Sequence, residues 1–236
     1  MIPTPAAAQP SRGLRLRRAA SRYDWSDVRA LRFAALAQRG DLDPAVEGEF
    51  GDAYDSALNT CVFVLSGNGQ PIGSTRTCVS SPERRWALPA ADAYPRAFEA
   101  LGAEATLVEA SLAVVDPRST MDDKAVLFHL FKAHMLQCAL EEADWLLVAV
   151  RESQIGFYTR VFNMEILSGA EPYGGLASSR VLMGLDVRAH SALLYKRIPV
   201  LAVSADDQRD FAATGTVGFG SPRRMGRRTP YLVAGD

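Results

Sequence analysis

The stretch that decides the fold begins Ala105-Thr-Leu-Val-Glu-Ala-Ser-Leu-Ala-Val-Val115 and stops at Asp116-Pro117. It is apolar and β-branched, so it reads as a strand, with one carboxylate, Glu109, in its middle. A helix is expected from about Asp122 to Glu142, capped by Asp122 or Asp123. Its apolar residues Val126, Leu127, Leu130, Phe131, Met135 and Cys138 spread around most of the circumference, so it should be buried on more than one side. Trp145-Leu-Leu-Val-Ala-Val150 is too short and β-branched for another helix and fits a central strand. Arg151 to Asn163 then forms a short amphipathic helix opened by Ser153. A strand-helix-strand unit of this kind crosses over right-handed, which predicts two neighbouring parallel strands.

Outward from this unit, Cys61-Val-Phe-Val-Leu65 and Pro71 to Val79 form a β-hairpin. Gly67-Asn68-Gly69 supplies the positive φ angles that a tight turn needs. Asp24 to Arg39 reads as an amphipathic helix capped by Asp24 or Ser26, and the acidic segment 42–56 as a loop or broken helix. Pro95 to Leu101 offers a turn or two of helix. Glu165-Ile-Leu167 and Ser179 to Asp186 are the last two strands, joined by a Gly-rich loop carrying Tyr173, and Leu193 to Val203 adds a peripheral helix or strand. The basic segment 1–21 and the Gly-rich, Arg-rich segment 205–236 are expected to be flexible tails, leaving one α/β domain over 22–204.

Composition narrows the class. The chain has 236 residues, 48% hydrophobic and 22% charged, with a formal net charge of -1, as in ordinary soluble globular proteins and without a global field for nucleic acid. Cys61, Cys78 and Cys138 are far apart inside apolar patterns and read as reduced core residues of a cytoplasmic protein. His129 and His134 are five apart, which misses the spacing for two ligands on one helix face, so no metal site is expected. No apolar run has the length to span a membrane, and the N-terminus lacks the apolar core of a secretory signal.

The order strand, Pro-Arg loop, buried helix, strand, and then Phe157-Tyr158-x-Arg160-x-Phe162 resembles the core of the GNAT acyltransferase superfamily. That resemblance implies a mixed, mostly antiparallel central sheet flanked by helices, with the tyrosine of the closing helix facing a thioester sulfur. Acyl-CoA-dependent members place a glycine-rich loop at the start of the buried helix to hold the pyrophosphate. Here that position reads Arg118-Ser-Thr-Met-Asp-Asp-Lys124, with no glycine and two carboxylates. The branch without that loop contains the N-acyl amino acid synthases and acyl-homoserine-lactone synthases, which take acyl chains from acyl carrier protein. Its pattern is similar to Arg32, then Gly51-Asp52-x-Tyr54-Asp55, Gly73 and Arg76, then Glu109-x-Ser111. Leu112 stands where an arginine is expected, and the tryptophan usual in the lactone synthases is missing; both count against S-adenosylmethionine as acceptor.

What the resemblance implies is transfer of a fatty acyl group from an acyl-carrier-protein thioester, rather than acyl-CoA, to the amine of an amino acid or similar small molecule, with no bound cofactor. Glu109 would be the general base, because burial raises a carboxylate toward a useful pKa. Tyr158 would protonate the departing thiolate, and backbone N–H groups near Leu112 to Val114 would meet the oxyanion. Arg32 and Arg76 would grip the acceptor's carboxylate, with Asp52, Asp55 and Ser111 ordering that pocket. Arg118, Lys124, Arg151 and Arg160 would face the acidic carrier protein. The alternatives are an acyl-CoA N-acetyltransferase and a ligand-binding module without catalysis.

Overall fold

The computed structural model describes residues 13–219. Among the described residues eight strands form one sheet: β1 (Leu14–Arg18), β2 (Thr60–Gly67), β3 (Gln70–Ser80), β4 (Leu107–Val115), β5 (Trp145–Val150), β6 (Glu165–Glu171), β7 (Arg180–Asp186) and β8 (Thr216–Gly218), in the order β6-β7-β5-β4-β3-β2-β1-β8. The helices are α1 (Arg22–Gln38), α2 (Pro95–Leu101), α3 (Asp123–Leu140), α4 (Ile155–Phe162), α5 (Val187–Arg197) and α6 (Ala205–Thr214). Only β4 and β5 pair in parallel; the remaining neighbours are antiparallel. The crossover through α3 that sequence periodicity predicts is therefore present, as is the mixed, mostly antiparallel sheet.

The local chemistry accounts for the boundaries. Asp122 caps α3 by accepting from the Lys124 N–H at 3.0 Å, and Asn68 (φ 51°) and Gly69 (φ 81°) turn the β2–β3 hairpin. α1 starts earlier than expected. Its cap is Ser21, and Asp24 is the reciprocal partner of a capping box, accepting from the Ser21 N–H at 3.0 Å.

α3 packs on one face of the sheet, where Phe131, Met135 and Cys138 meet Val108, Ala110, Leu146 and Val148, and where Val126, Leu130 and Leu136 meet Leu16, Phe63 and Leu65. α1 and α2 cover the other face: Leu31, Ala35 and Leu36 pack with Val114, and Ala97 lies in a cluster with Leu107, Leu147 and Tyr173.

Two expectations about the ends are corrected. Residues 14–18 are strand β1, not tail: Leu14 and Leu16 point into the core while Arg15 points outward, an alternation of period two hidden inside a basic segment. Residues 205–218 form α6 and β8, so the domain continues past 204. Ser204 and Asp207 make a capping box, Phe211 stacks on Phe63 at 5.4 Å, and Val217 is buried beside β1. The remainder of both expected tails, 1–12 and 220–236, lies outside the described residues.

Candidate active site

The site begins as an irregularity in β4. Opposite β3, Ser111 pairs with Arg76 and Val114 with Ser74, so three steps on β4 match two on β3 and the strand bulges. Leu112 sits in the bulge at φ 51°, a left-handed conformation that a leucine rarely adopts. Facing parity inverts there. Before the bulge Val108 and Ala110 face α3 and Leu107 faces α2; after it Val114 packs against α1 and Val115 against the α3 side. On the other edge, β4 pairs with β5 from Leu107 and Trp145 as far as Ala110 and Val148, and the two strands then part. Leu112 and Ala113 consequently have no register partner on either neighbour, and both line a cavity at the gap.

That cavity has walls from both faces of the sheet. Leu127, Leu130, Phe131 and His134 come from α3 and Tyr158 and Phe162 from α4. Leu36 and Arg39 come from α1, and Tyr173 and Leu176 from the β6–β7 connection. Arg39, Asp41, Arg151 and Arg180 give it a charged end. Asp41 receives Arg180 at 2.8 Å and Arg151 at 3.8 Å, so two guanidiniums share one carboxylate, with Arg39 in the same wall.

Glu109 lies just behind this cavity, at 0% exposure. Its carboxylate accepts from the Tyr173 hydroxyl at 2.6 Å and the Ala90 N–H at 2.9 Å. Burial pushes its pKa up to about 7, against the opposing pull of those two hydrogen bonds and of Arg76. Tyr173 lines the cavity and Glu109 does not, so the phenol connects the carboxylate to the open space. The Tyr158 hydroxyl, raised by burial to about 12, remains a proton donor at neutral pH.

Arg32, Asp52, Asp55, Arg76 and Ser111 come together as one buried brace. Arg32 donates to both Asp55 oxygens at 2.8 and 2.7 Å. Arg76 reaches Asp52, Asp55 at 3.1 Å and the Ser111 hydroxyl at 3.0 Å. Burial would raise the Asp55 carboxyl, but Arg32 and Arg76 outweigh it and hold it below its ordinary value. Asp52 and Asp55 also cap the short turn Ala53–Ser56. Through Arg76 the brace grips the base of the bulge.

A family model, N-acyl amino acid synthase FeeM, matches residues 27–186, more than half of the chain. The chain belongs to the N-acyl amino acid synthase FeeM family. As a member of that family it is an N-acyltransferase. None of the curated proteins matches it. Among solved structures, FeeM, an N-acyl amino acid synthase from uncultured soil microbes, superposes with a TM-score of 0.61 at 14% identity, covering 73% of this chain and 89% of that one. The acyl-homoserine-lactone synthase LasI gives 0.55 at 12%, covering 72% and 87%. BjaI, a CoA-dependent acyl-homoserine-lactone synthase with S-adenosylmethionine and isopentyl-CoA, gives 0.53 at 14%, covering 78% and 88%. At these identities the likeness is one of fold, the GNAT-type acyltransferase fold.

Within this synthase fold the residues singled out from sequence divide into three groups. Tyr158 and Ser111 line the cavity and Glu109 stands one hydrogen bond away. Arg32 and Arg76 are fully buried, committed to Asp52 and Asp55, and outside the cavity wall. Of the basic residues, Lys124 and Arg160 are exposed and Arg118 lies on Asp116 at 3.0 Å with its side chain 82% exposed, whereas Arg151 turns to the cavity. Sequence reading assigns no part in this site to Tyr173, Arg39, Asp41, Arg180 or His134. They sit in a glycine-rich connection, at a helix end, at a strand start and on a helix face, where no local pattern signals that they meet. Cys78 and Cys138 are buried in the core and Cys61 is half-buried at its edge, each with its pKa raised by burial, as expected for unreactive cysteines.

Proposed function

We propose that this synthase moves a fatty acyl group from the phosphopantetheine thioester of an acyl carrier protein to the amine of an amino acid or similar small acceptor. The observation that carries the reading is the gap between β4 and β5. One cavity there is lined by the bulge residues Leu112 and Ala113, a phenol hydrogen-bonded to the buried Glu109 carboxylate, a second phenol, an apolar wall and three arginines.

The acceptor's ammonium gives a proton to Glu109 by way of the Tyr173 hydroxyl or a water, and the freed amine attacks the thioester carbonyl. The tetrahedral oxyanion is met by the N–H groups of Leu112 and Ala113. Collapse forms the amide and breaks the carbon–sulfur bond, and Tyr158 protonates the leaving thiolate. Arg39 and Arg151 take the acceptor's carboxylate, a part that Arg32 and Arg76 cannot readily play while Asp52 and Asp55 hold them. Arg118, Lys124 and Arg160 remain for the acidic carrier protein.

The start of α3 favours a carrier protein over coenzyme A. Asp122 occupies the Lys124 N–H with its own carboxylate, Asp123 follows in the first turn, and no glycine opens the backbone to a diphosphate. The test presents matched acyl-carrier-protein and acyl-CoA thioesters with a mixture of amino acids and reads amides by mass spectrometry. The expected result is an N-acyl amino acid from the carrier-bound donor, with the CoA donor used less than about one tenth as well. An amide formed from acyl-CoA alone would overturn the choice of donor, and unchanged thioesters throughout would overturn the reaction.

A further inference from the structure

The apolar wall of the cavity contains one imidazole. Leu127, Leu130, Phe131 and His134 repeat at helical spacing along the face of α3 that lines the gap, and His134 is 2% exposed. Its Nε2 lies 3.1 Å from the Thr75 hydroxyl, and that hydroxyl donates to the Ser111 carbonyl at 3.3 Å. A hydroxyl has a single hydrogen to give. With that hydrogen directed to Ser111, Thr75 accepts from Nε2 and the imidazole proton is assigned to Nε2, leaving a lone pair on Nδ1; the opposite direction of the Thr75–Nε2 contact would give the other tautomer. Burial holds the ring far below the usual histidine range, at about 3, so it is neutral.

Nδ1 is buried and has no partner among the described residues. The helix cannot supply one. The Nδ1 of His129 meets the Ala125 carbonyl one turn back at 2.6 Å, but a carbonyl offers nothing to a lone pair. In the assigned tautomer His134, a residue of the wall of the cavity read above as the acyl site, lacks a hydrogen-bond donor at Nδ1. Thr75 ties the ring to Ser111, next to the bulge whose N–H groups are proposed above to meet the oxyanion, so the missing donor belongs near the thioester end of the chain.

We propose that His134 determines acyl specificity: its Nδ1 accepts a hydrogen bond from a hydroxyl near the thioester end of the acyl chain, so the preferred donors are hydroxyacyl thioesters. An oxo group at the same position has no proton to offer and leaves Nδ1 unmet, as does a plain chain. The inference rests on the acyl reading of this cavity.

The test compares decanoyl, 3-hydroxydecanoyl and 3-oxodecanoyl carrier-protein thioesters. It is run on the wild type, on His134→Phe, which removes the acceptor, and on His134→Asn, whose amide oxygen can stand near the Nδ1 position. In parallel, the imidazole nitrogens of the folded protein are followed by NMR while 3-hydroxydecanoic acid and decanoic acid are added. The expected result is a preference of about tenfold in kcat/KM for the hydroxyacyl donor, lost in His134→Phe and partly kept in His134→Asn. The NMR should show a lone-pair Nδ1 whose shift moves with the hydroxylated acid only. Equal use of the three donors, or a preference that survives in His134→Phe, would overturn the proposal. So would an Nδ1 that carries the proton, or one held by a water that the acid does not displace. If no thioester is consumed, the reaction proposed above fails, and the NMR response to the hydroxylated acid still decides the role of His134.

Discussion

At the scale of single residues, the proposed chemistry turns on a carboxylate that the fold makes costly to ionise. The Glu109 carboxyl is raised from an ordinary 4.5 to about 7, so between those values the folded chain binds a proton that the unfolded chain has released. Its contribution to stability is therefore complete below about pH 4.5 and is lost as pH rises through about 7, a change on the order of 3 kcal/mol. Glu109→Gln should remove that dependence, so urea denaturation should find the variant gaining on the wild type between pH 5 and pH 8. The same substitution should lower turnover by about 100-fold or more. In the wild type kcat/KM should rise with pH and level off near 7. Tyr173→Phe takes away a hydrogen bond that lowers the Glu109 pKa, so the bend should move to higher pH. A bend that stays in place would remove Tyr173 from the relay. Glu109 was legible in the sequence because a charge inside an apolar strand needs a reason. Tyr173 was not, since a tyrosine in a glycine-rich connection acquires meaning only when the loop folds onto β4.

At the scale of elements, the bulge in β4 sets where the backbone N–H groups point, and Leu112 holds it at φ 51°. A branched Cβ is more strained there than an unbranched one of similar volume. Leu112→Met should therefore behave like the wild type. Leu112→Ile should lose about 1–2 kcal/mol in denaturant melts together with most of its turnover. Loss of stability with full activity would mean that the N–H groups of the bulge do not serve the reaction. The strand itself was plain from its β-branched run, and its parallel partner from the crossover rule. The bulge was invisible: it depends on a mismatch of length between β3 and β4, which neither strand encodes alone.

At the scale of the whole molecule, both ends of the described chain close one side of the sheet. β1 lies between β2 and β8, α6 sets Phe211 on Phe63, and Asp207 bonds the largely buried Lys132 of α3 at 3.0 Å. Truncation after Ser204 should expose Phe63 and strand Lys132, costing more than about 3 kcal/mol by thermal or urea unfolding. A truncated chain of wild-type stability would show that this layer only decorates the core. Sequence alone determined the central unit of strand, buried helix, parallel strand and closing helix, because periodicity, capping and chain chirality are local properties. It also determined the branch of the superfamily, through the missing glycine loop and the ordered Arg, Asp, Arg and Glu positions. Only the tertiary structure decided that Arg32 and Arg76 brace the bulge while Arg39 and Arg151 face the cavity. The choice lies in burial and in which carboxylates come within 3–4 Å, and Arg32 stands 23 residues from Asp55 and Arg180 stands 139 from Asp41. No local pattern carries information across such separations; packing of the sheet brings those charges together.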